Sequence, residues 1–134
     1  MASLVGVGLS LSACSGISLD DRAGLSCIDD SPECVERRDA TLKSMLADKD
    51  RRWIRETPTP QAHATGVRLF AFRSKKAELS CDELVLARRE AEAAPKALKG
   101  QQGLSPAQIS RASLFAAEVQ KELAAEMKKR RCRA

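Results

Sequence analysis

Five cysteines carry most of the chemistry available to this chain: Cys14, Cys27, Cys34, Cys81 and Cys132. Thiolates that bind zinc or cycle redox equivalents commonly stand as C-x-x-C pairs, and no such pair occurs. The gap between Cys27 and Cys34 is also unlike that of a zinc knuckle, which leaves covalent uses: disulfides or an attachment point. A serine hydrolase needs a histidine oriented by a carboxylate beside a nucleophile on a strained turn. Here there is one histidine, His63, and no Gly-x-Ser-x-Gly. His63 falls in the first turn of a candidate helix, Pro60-Gln61-Ala62-His63-Ala64, and reads as a partly exposed surface imidazole. The pairs Asp20-Asp21 and Asp29-Asp30 stand beside turn formers, where acids cap helices and solvate backbone, without the spaced oxygens of a calcium loop. Glycine motifs that cradle phosphate are absent. These patterns predict no catalytic residue, no metal site and no cofactor.

Ahead of Cys14, residues 2–13 are uncharged and made only of Ala, Ser, Leu, Val and Gly. The run is shorter than the roughly 20 residues of a spanning helix and fits the apolar region of a signal peptide, about 7 to 15 residues. It ends in Leu11-Ser12-Ala13-Cys14, which resembles the lipobox of bacterial lipoprotein precursors. Small side chains let an extended backbone enter a peptidase cleft, and a thiol is required for the thioether. The resemblance implies a leader over residues 1–13, diacylglycerol on the Cys14 thiol, and acylation of the new amine. Several acyl chains on one residue give the multiple anchors that stable membrane attachment requires. Ser15, where lipoproteins kept at the inner membrane often carry Asp, implies the outer membrane, facing the periplasm. The chain departs from the family in having no Lys or Arg before its apolar core, which fits a start further upstream.

The first charge is Asp20, so the net +5 belongs wholly to the part that remains after processing. With 18 acids interleaved among 23 bases, this is a mixed, solvated surface, and nucleic-acid binding is not indicated. The steepest charge run is Lys128, Lys129, Arg130 and Arg131, a candidate membrane-facing patch. At 134 residues the chain has room for one domain, with a thin margin of stability that covalent staples would widen. One Trp, three Phe and no Tyr, against many Ala, Leu, Arg and Glu, favour helix over sheet.

The elements that must position the cysteines follow from repeated helix-opening signals. Residues 14–30, rich in Ser, Gly and Asp, read as a lipidated start and flexible tether, and residues 31–134 as the helical domain. Ser31-Pro32-Glu33 opens a helix expected to reach Ile54, with Val35, Leu42, Met45, Leu46, Trp53 and Ile54 inward and Arg51 outward. Thr59-Pro60 opens a second, carrying Ala62, Val67, Leu69, Phe70 and Phe72, with Gly66 marking close packing or a kink. Ser80-Cys81-Asp82-Glu83 is a capping box for a third, which Pro95 should stop near Ala94. Ser105-Pro106-Ala107-Gln108 opens the last, whose stripe is Ile109, Ala112, Ala116, Val119, Leu123 and Met127.

The fold expected is therefore all-α, a small up-down bundle of about four helices with two disulfides. In such a bundle Cys27, Cys34, Cys81 and Cys132 all fall at one end, the end that Cys14 would tether. Cys27–Cys34 with Cys81–Cys132 is the preferred pairing, since the first closes a short local loop; Cys27–Cys81 with Cys34–Cys132 is its rival. Four oxidised cysteines beside a lipidated fifth suit an oxidising periplasm. The function expected is that of a non-catalytic envelope lipoprotein, held to a membrane by its lipid and binding an envelope protein. A small ligand-binding or inhibitory lipoprotein using Phe70 and Phe72 as a pocket is the second reading. A cytosolic metal-binding helical protein is the third.

Overall fold

The computed structural model describes residues 23–133, all helix, turn and loop, with no strand among them. Five α-helices follow in order: α1 Pro32–Ala47, α2 Pro60–Thr65, α3 Val67–Lys75, α4 Cys81–Leu98 and α5 Pro106–Lys129, with a 3-10 turn at Arg52–Arg55 between α1 and α2. The all-α class and both preferred disulfides, Cys27–Cys34 and Cys81–Cys132, are present.

Each predicted opening signal works as its chemistry requires. The Ser31 hydroxyl accepts from the Cys34 amide at 3.2 Å, and Thr59 accepts from Ala62 at 3.1 Å. Both capping boxes close: Ser80 accepts from the Glu83 amide at 3.1 Å while Glu83 accepts from the Ser80 amide at 2.9 Å, and Ser105 and Gln108 do the same.

Where helices end was less legible. The first stops at Ala47, not Ile54: the Asp48 carboxylate accepts from the Asp50 and Arg52 amides, and Arg51 takes a left-handed φ of 47°, which turns the chain off the helix axis. Trp53 then folds back, its indole N–H donating to the Met45 carbonyl at 3.1 Å. Val35, expected inside, is half exposed. Gly66, with φ 69°, divides the second helix into α2 and α3. Pro95 does not stop α4, which runs on to a fully buried Leu98. The lost amide donor is outweighed by packing, because Ala87, Ala91, Ala94 and Leu98 bury one continuous face of the helix.

The core lies between α3, α4 and α5, around Leu69, Phe72, Leu84, Val119 and Leu123, with the Trp53 ring tilted against Phe72 at 4.8 Å between centroids. Antiparallel α4 and α5 form the most extensive helix pair. They join at one end through the 99–105 connection, with Gly100 and Gly103 at positive φ, and at the other through Cys81–Cys132, so the hairpin is a covalently closed ring. Cys132 is aimed by a Schellman close to α5: its amide donates to the Met127 carbonyl at 2.8 Å, and Arg131 adopts the left-handed conformation at φ 54°.

Two expectations about the N-terminal end are corrected. Residues 23–30 are not a free tether. Gly24 is buried on α1 and donates to the Thr41 hydroxyl at 3.0 Å, while Arg38 donates to the carbonyls of Cys27 and Asp29. Nor do the four bridged cysteines meet at one end. Gln108, in the first turn of α5, donates to the Ile28 carbonyl at 3.2 Å, which places Cys27–Cys34 beside the start of α5. Cys132 follows its other end, about 30 Å away at 1.5 Å per residue. The bundle expectation treated the segment opened by Thr59-Pro60 as one full antiparallel helix. The break at Gly66 removes that reversal, and Arg51, four residues past the end of α1, contacts Glu83 at the start of α4. Cys14 and the leader lie outside the described residues.

A Cβ on Gly24 would stand 2.4 Å from the Arg37 carbonyl oxygen and 2.6 Å from the Thr41 hydroxyl. Gly24→Ala should therefore cost about 1–3 kcal/mol and release residues 23–30 to fast amide exchange; an unchanged thermal midpoint would contradict this seating. Loop entropy orders the bridges as well. With separations of 51 and 7 residues, removing Cys81–Cys132 as a pair should cost about 4 kcal/mol and removing Cys27–Cys34 about 2, measured by urea unfolding of the two double-alanine variants.

Candidate functional site

Two concave surfaces are formed among the described residues. The first is a groove of about 280 Å³ where α1 meets the start of α3 and the middle of α5, lined by Val35, Leu42, Gly66, Phe70 and Phe115. Gly66 is required there on two counts. Its φ is left-handed, and a Cβ would stand 3.2 Å from the Phe115 ring. Arg73 lies between the two aromatic rings, 5.1 Å from Phe70 and 4.9 Å from Phe115, and reaches Glu122 at 3.9 Å. The pocket expected from Phe70 and Phe72 thus divides: Phe72 is fully buried core, whereas Phe70 is 41% exposed on the groove.

The second is a cleft of about 500 Å³ between segment 54–58, α2 and α4, lined by Ile54, Arg55, Pro58, His63, Leu86 and Arg89 among others. Beneath it lies a buried ion pair. Arg68 Nε and Nη2 donate to Glu90 at 2.6–3.1 Å, and Nη1 and Nη2 donate to the carbonyls of Trp53 and Glu56 at 2.6 and 3.1 Å. His63 corrects its expectation: it is 6% exposed, not a surface imidazole, because α2 lays it against α4. Burial lowers its pKa from the usual histidine range, partly offset by Glu90, and Nδ1 has no hydrogen-bond partner.

Arg51, expected outward, forms a bidentate pair with Glu83 at 2.8 and 2.9 Å. These bonds hold the Glu83 carboxyl down to about 2, with the Ser80 amide assisting. Of the loop acids, Asp29 accepts from the Ser31 amide at 2.8 Å, the Ser31 side chain and then this amide lowering its pKa, and Asp30 lies within 3.8 Å of Arg38 and Arg111; Asp20 and Asp21 lie outside the described residues. Among the described residues no three His, Cys, Asp or Glu side chains are grouped to hold a metal, and no helix is long and apolar enough to cross a membrane.

Of the basic run, Lys128, Lys129 and Arg131 are exposed, while Arg130 donates to the Lys76 carbonyl at 3.3 Å. The run sits at the far end of α5 from residues 23–30, and Cys14, on which its membrane-facing role depends, lies outside the described residues. Sequence reasoning missed Phe115, Arg55 and Arg89. Phe115 falls beside the α5 stripe instead of on it, and two arginines among 23 basic residues carry no local signal. No family model matches the chain, and neither does any curated protein or solved structure.

Acid should destabilise the domain in two windows. His63, depressed when folded, contributes stability present above about pH 6.5 and lost as pH falls further. Glu83, with a folded pKa of about 2 against 4.5, contributes stability that is complete above 4.5 and lost as pH falls through 2. Urea unfolding between pH 8 and pH 3 should show the first step vanish in His63→Gln and the second shrink in Glu83→Gln; a flat profile in the parent would contradict both.

Proposed function

We propose that this chain is a non-catalytic bacterial envelope lipoprotein, held at the outer membrane by acyl chains on Cys14 and engaging an envelope protein through the groove of Val35, Phe70 and Phe115. The observation that carries the reading is the cysteine balance. Four of the five cysteines are consumed in two disulfides, and the one outside them is the lipobox cysteine. Two bridges favour an oxidising compartment, and export is what the apolar leader would provide. Once Cys14 is acylated, no free thiol remains.

The groove supports the interaction half of the reading. Val35 and Phe70 are large apolar side chains left half exposed beside Phe115, on a domain with few aromatics to spare. Arg73, between the rings, adds a cation at which a partner's carboxylate can terminate.

Intact mass of the chain extracted from bacterial membranes tests the anchor. The expected species begins at Cys14, carries acyl mass and lacks four thiol hydrogens, and Cys14→Ala should leave the membrane fraction. A soluble chain retaining Met1 and five reduced thiols would overturn the proposal. Phe70→Glu should retain the thermal midpoint to within about 1 kcal/mol and lose crosslinking to envelope proteins.

A further inference from the structure

The cleft between segment 54–58 and α4 is not needed for the proposed interaction, and its composition is that of a ligand site. Its volume of about 500 Å³ lies within the roughly 300–1,000 Å³ of small-molecule pockets. Its lining is apolar at Ile54, Pro58 and Leu86. Two cations flank this surface, Arg55 from the segment and Arg89 from α4, and among the described residues neither is hydrogen-bonded or ion-paired.

The acids nearby do not cancel them. Glu90 is held by three hydrogen bonds from Arg68, so its charge is met from within the protein. Counting Arg55, Arg68 and Arg89 against Glu56 and Glu90 leaves the cleft positive. A third polar group lines the same surface. His63 lines the cleft, is more than nine-tenths buried, and has no partner at Nδ1. Its other ring nitrogen, Nε2, can donate to a carboxylate when it carries the ring hydrogen.

We propose that this cleft binds a small organic anion with an apolar body, its carboxylate received by Arg55, Arg89 and His63 and its carbon chain laid on Ile54, Pro58 and Leu86. The cations supply orientation and the apolar lining supplies most of the affinity, the usual division of labour in such pockets. The inference does not depend on lipidation or on the groove.

NMR titration of the full chain, both disulfides formed and ionic strength fixed, distinguishes the contributions, with hexanoate, hexanamide and inorganic phosphate as probes. Hexanoate should shift the His63 ring and raise its pKa, since a bound anion then faces the imidazole together with Glu90 and Arg68. Hexanamide, lacking charge, and phosphate, lacking an apolar body, should each bind about tenfold more weakly or worse, a difference of about 1.4 kcal/mol. Arg55→Gln/Arg89→Gln should weaken hexanoate at least as much while leaving the thermal midpoint unchanged, because both side chains are exposed and unpaired. The proposal is overturned if hexanoate leaves the His63 ring unmoved at tens of millimolar. It is equally overturned if either control matches hexanoate, or if the double variant binds as the parent does.

Discussion

The arrangement turns on one buried guanidinium. Arg68 is 2% exposed in a domain of about 110 described residues, and a cation removed from water is costly unless every strong hydrogen-bonding direction is met. Glu90 on α4 meets two of its nitrogens, and the carbonyls of Trp53 and Glu56 take most of what remains. The rings of Trp53 and Phe72 lie 5.6 and 5.9 Å from its carbon centre. Because the Trp53 and Glu56 carbonyls are on the connection between α1 and α2, satisfying the charge also fixes the path of that connection. The cleft above Glu90 is a consequence of that path.

Covalent closure reinforces the noncovalent packing. A domain this small buries a limited apolar area, and its α4–α5 interface is built largely from alanines, which permit close approach but contribute little area each. The Cys81–Cys132 bridge shuts the hairpin at the end opposite its turn. Cys27–Cys34 performs a different task about 30 Å away, holding the arm of residues 23–30 in the conformation that α1 receives through Gly24, Thr41 and Arg38. The arm is thereby part of the folded body.

The two concave surfaces are chemically unlike. The α1/α3/α5 groove presents aromatic and aliphatic side chains with a single stacked arginine, suited to an apolar protein segment. The 54–58 cleft combines unpaired cations with a desolvated imidazole, suited to a small anion. Both are bounded by the short segments on either side of α2, so that irregular stretch shapes both.

Local chemistry was fully legible in the sequence. Ser31, Thr59, Ser80 and Ser105 each cap the helix they open, because capping involves residues within three positions of one another. The preferred cysteine pairing was readable too, since a loop of seven residues closes cheaply. Burial, and the run of α4 past Pro95, were decided by packing beyond the local window. Pro95 yields to the packing of α4, Trp53 returns to the Met45 carbonyl, Gly66 makes room for Phe115, and Arg68, Arg51 and His63 are drawn inside by partners or by packing against α4. A spacing rule reports which residue can open a helix. Which arginine is buried, and which end of a helix meets which cysteine, depends on how the helices reverse, and only the assembled bundle determines that.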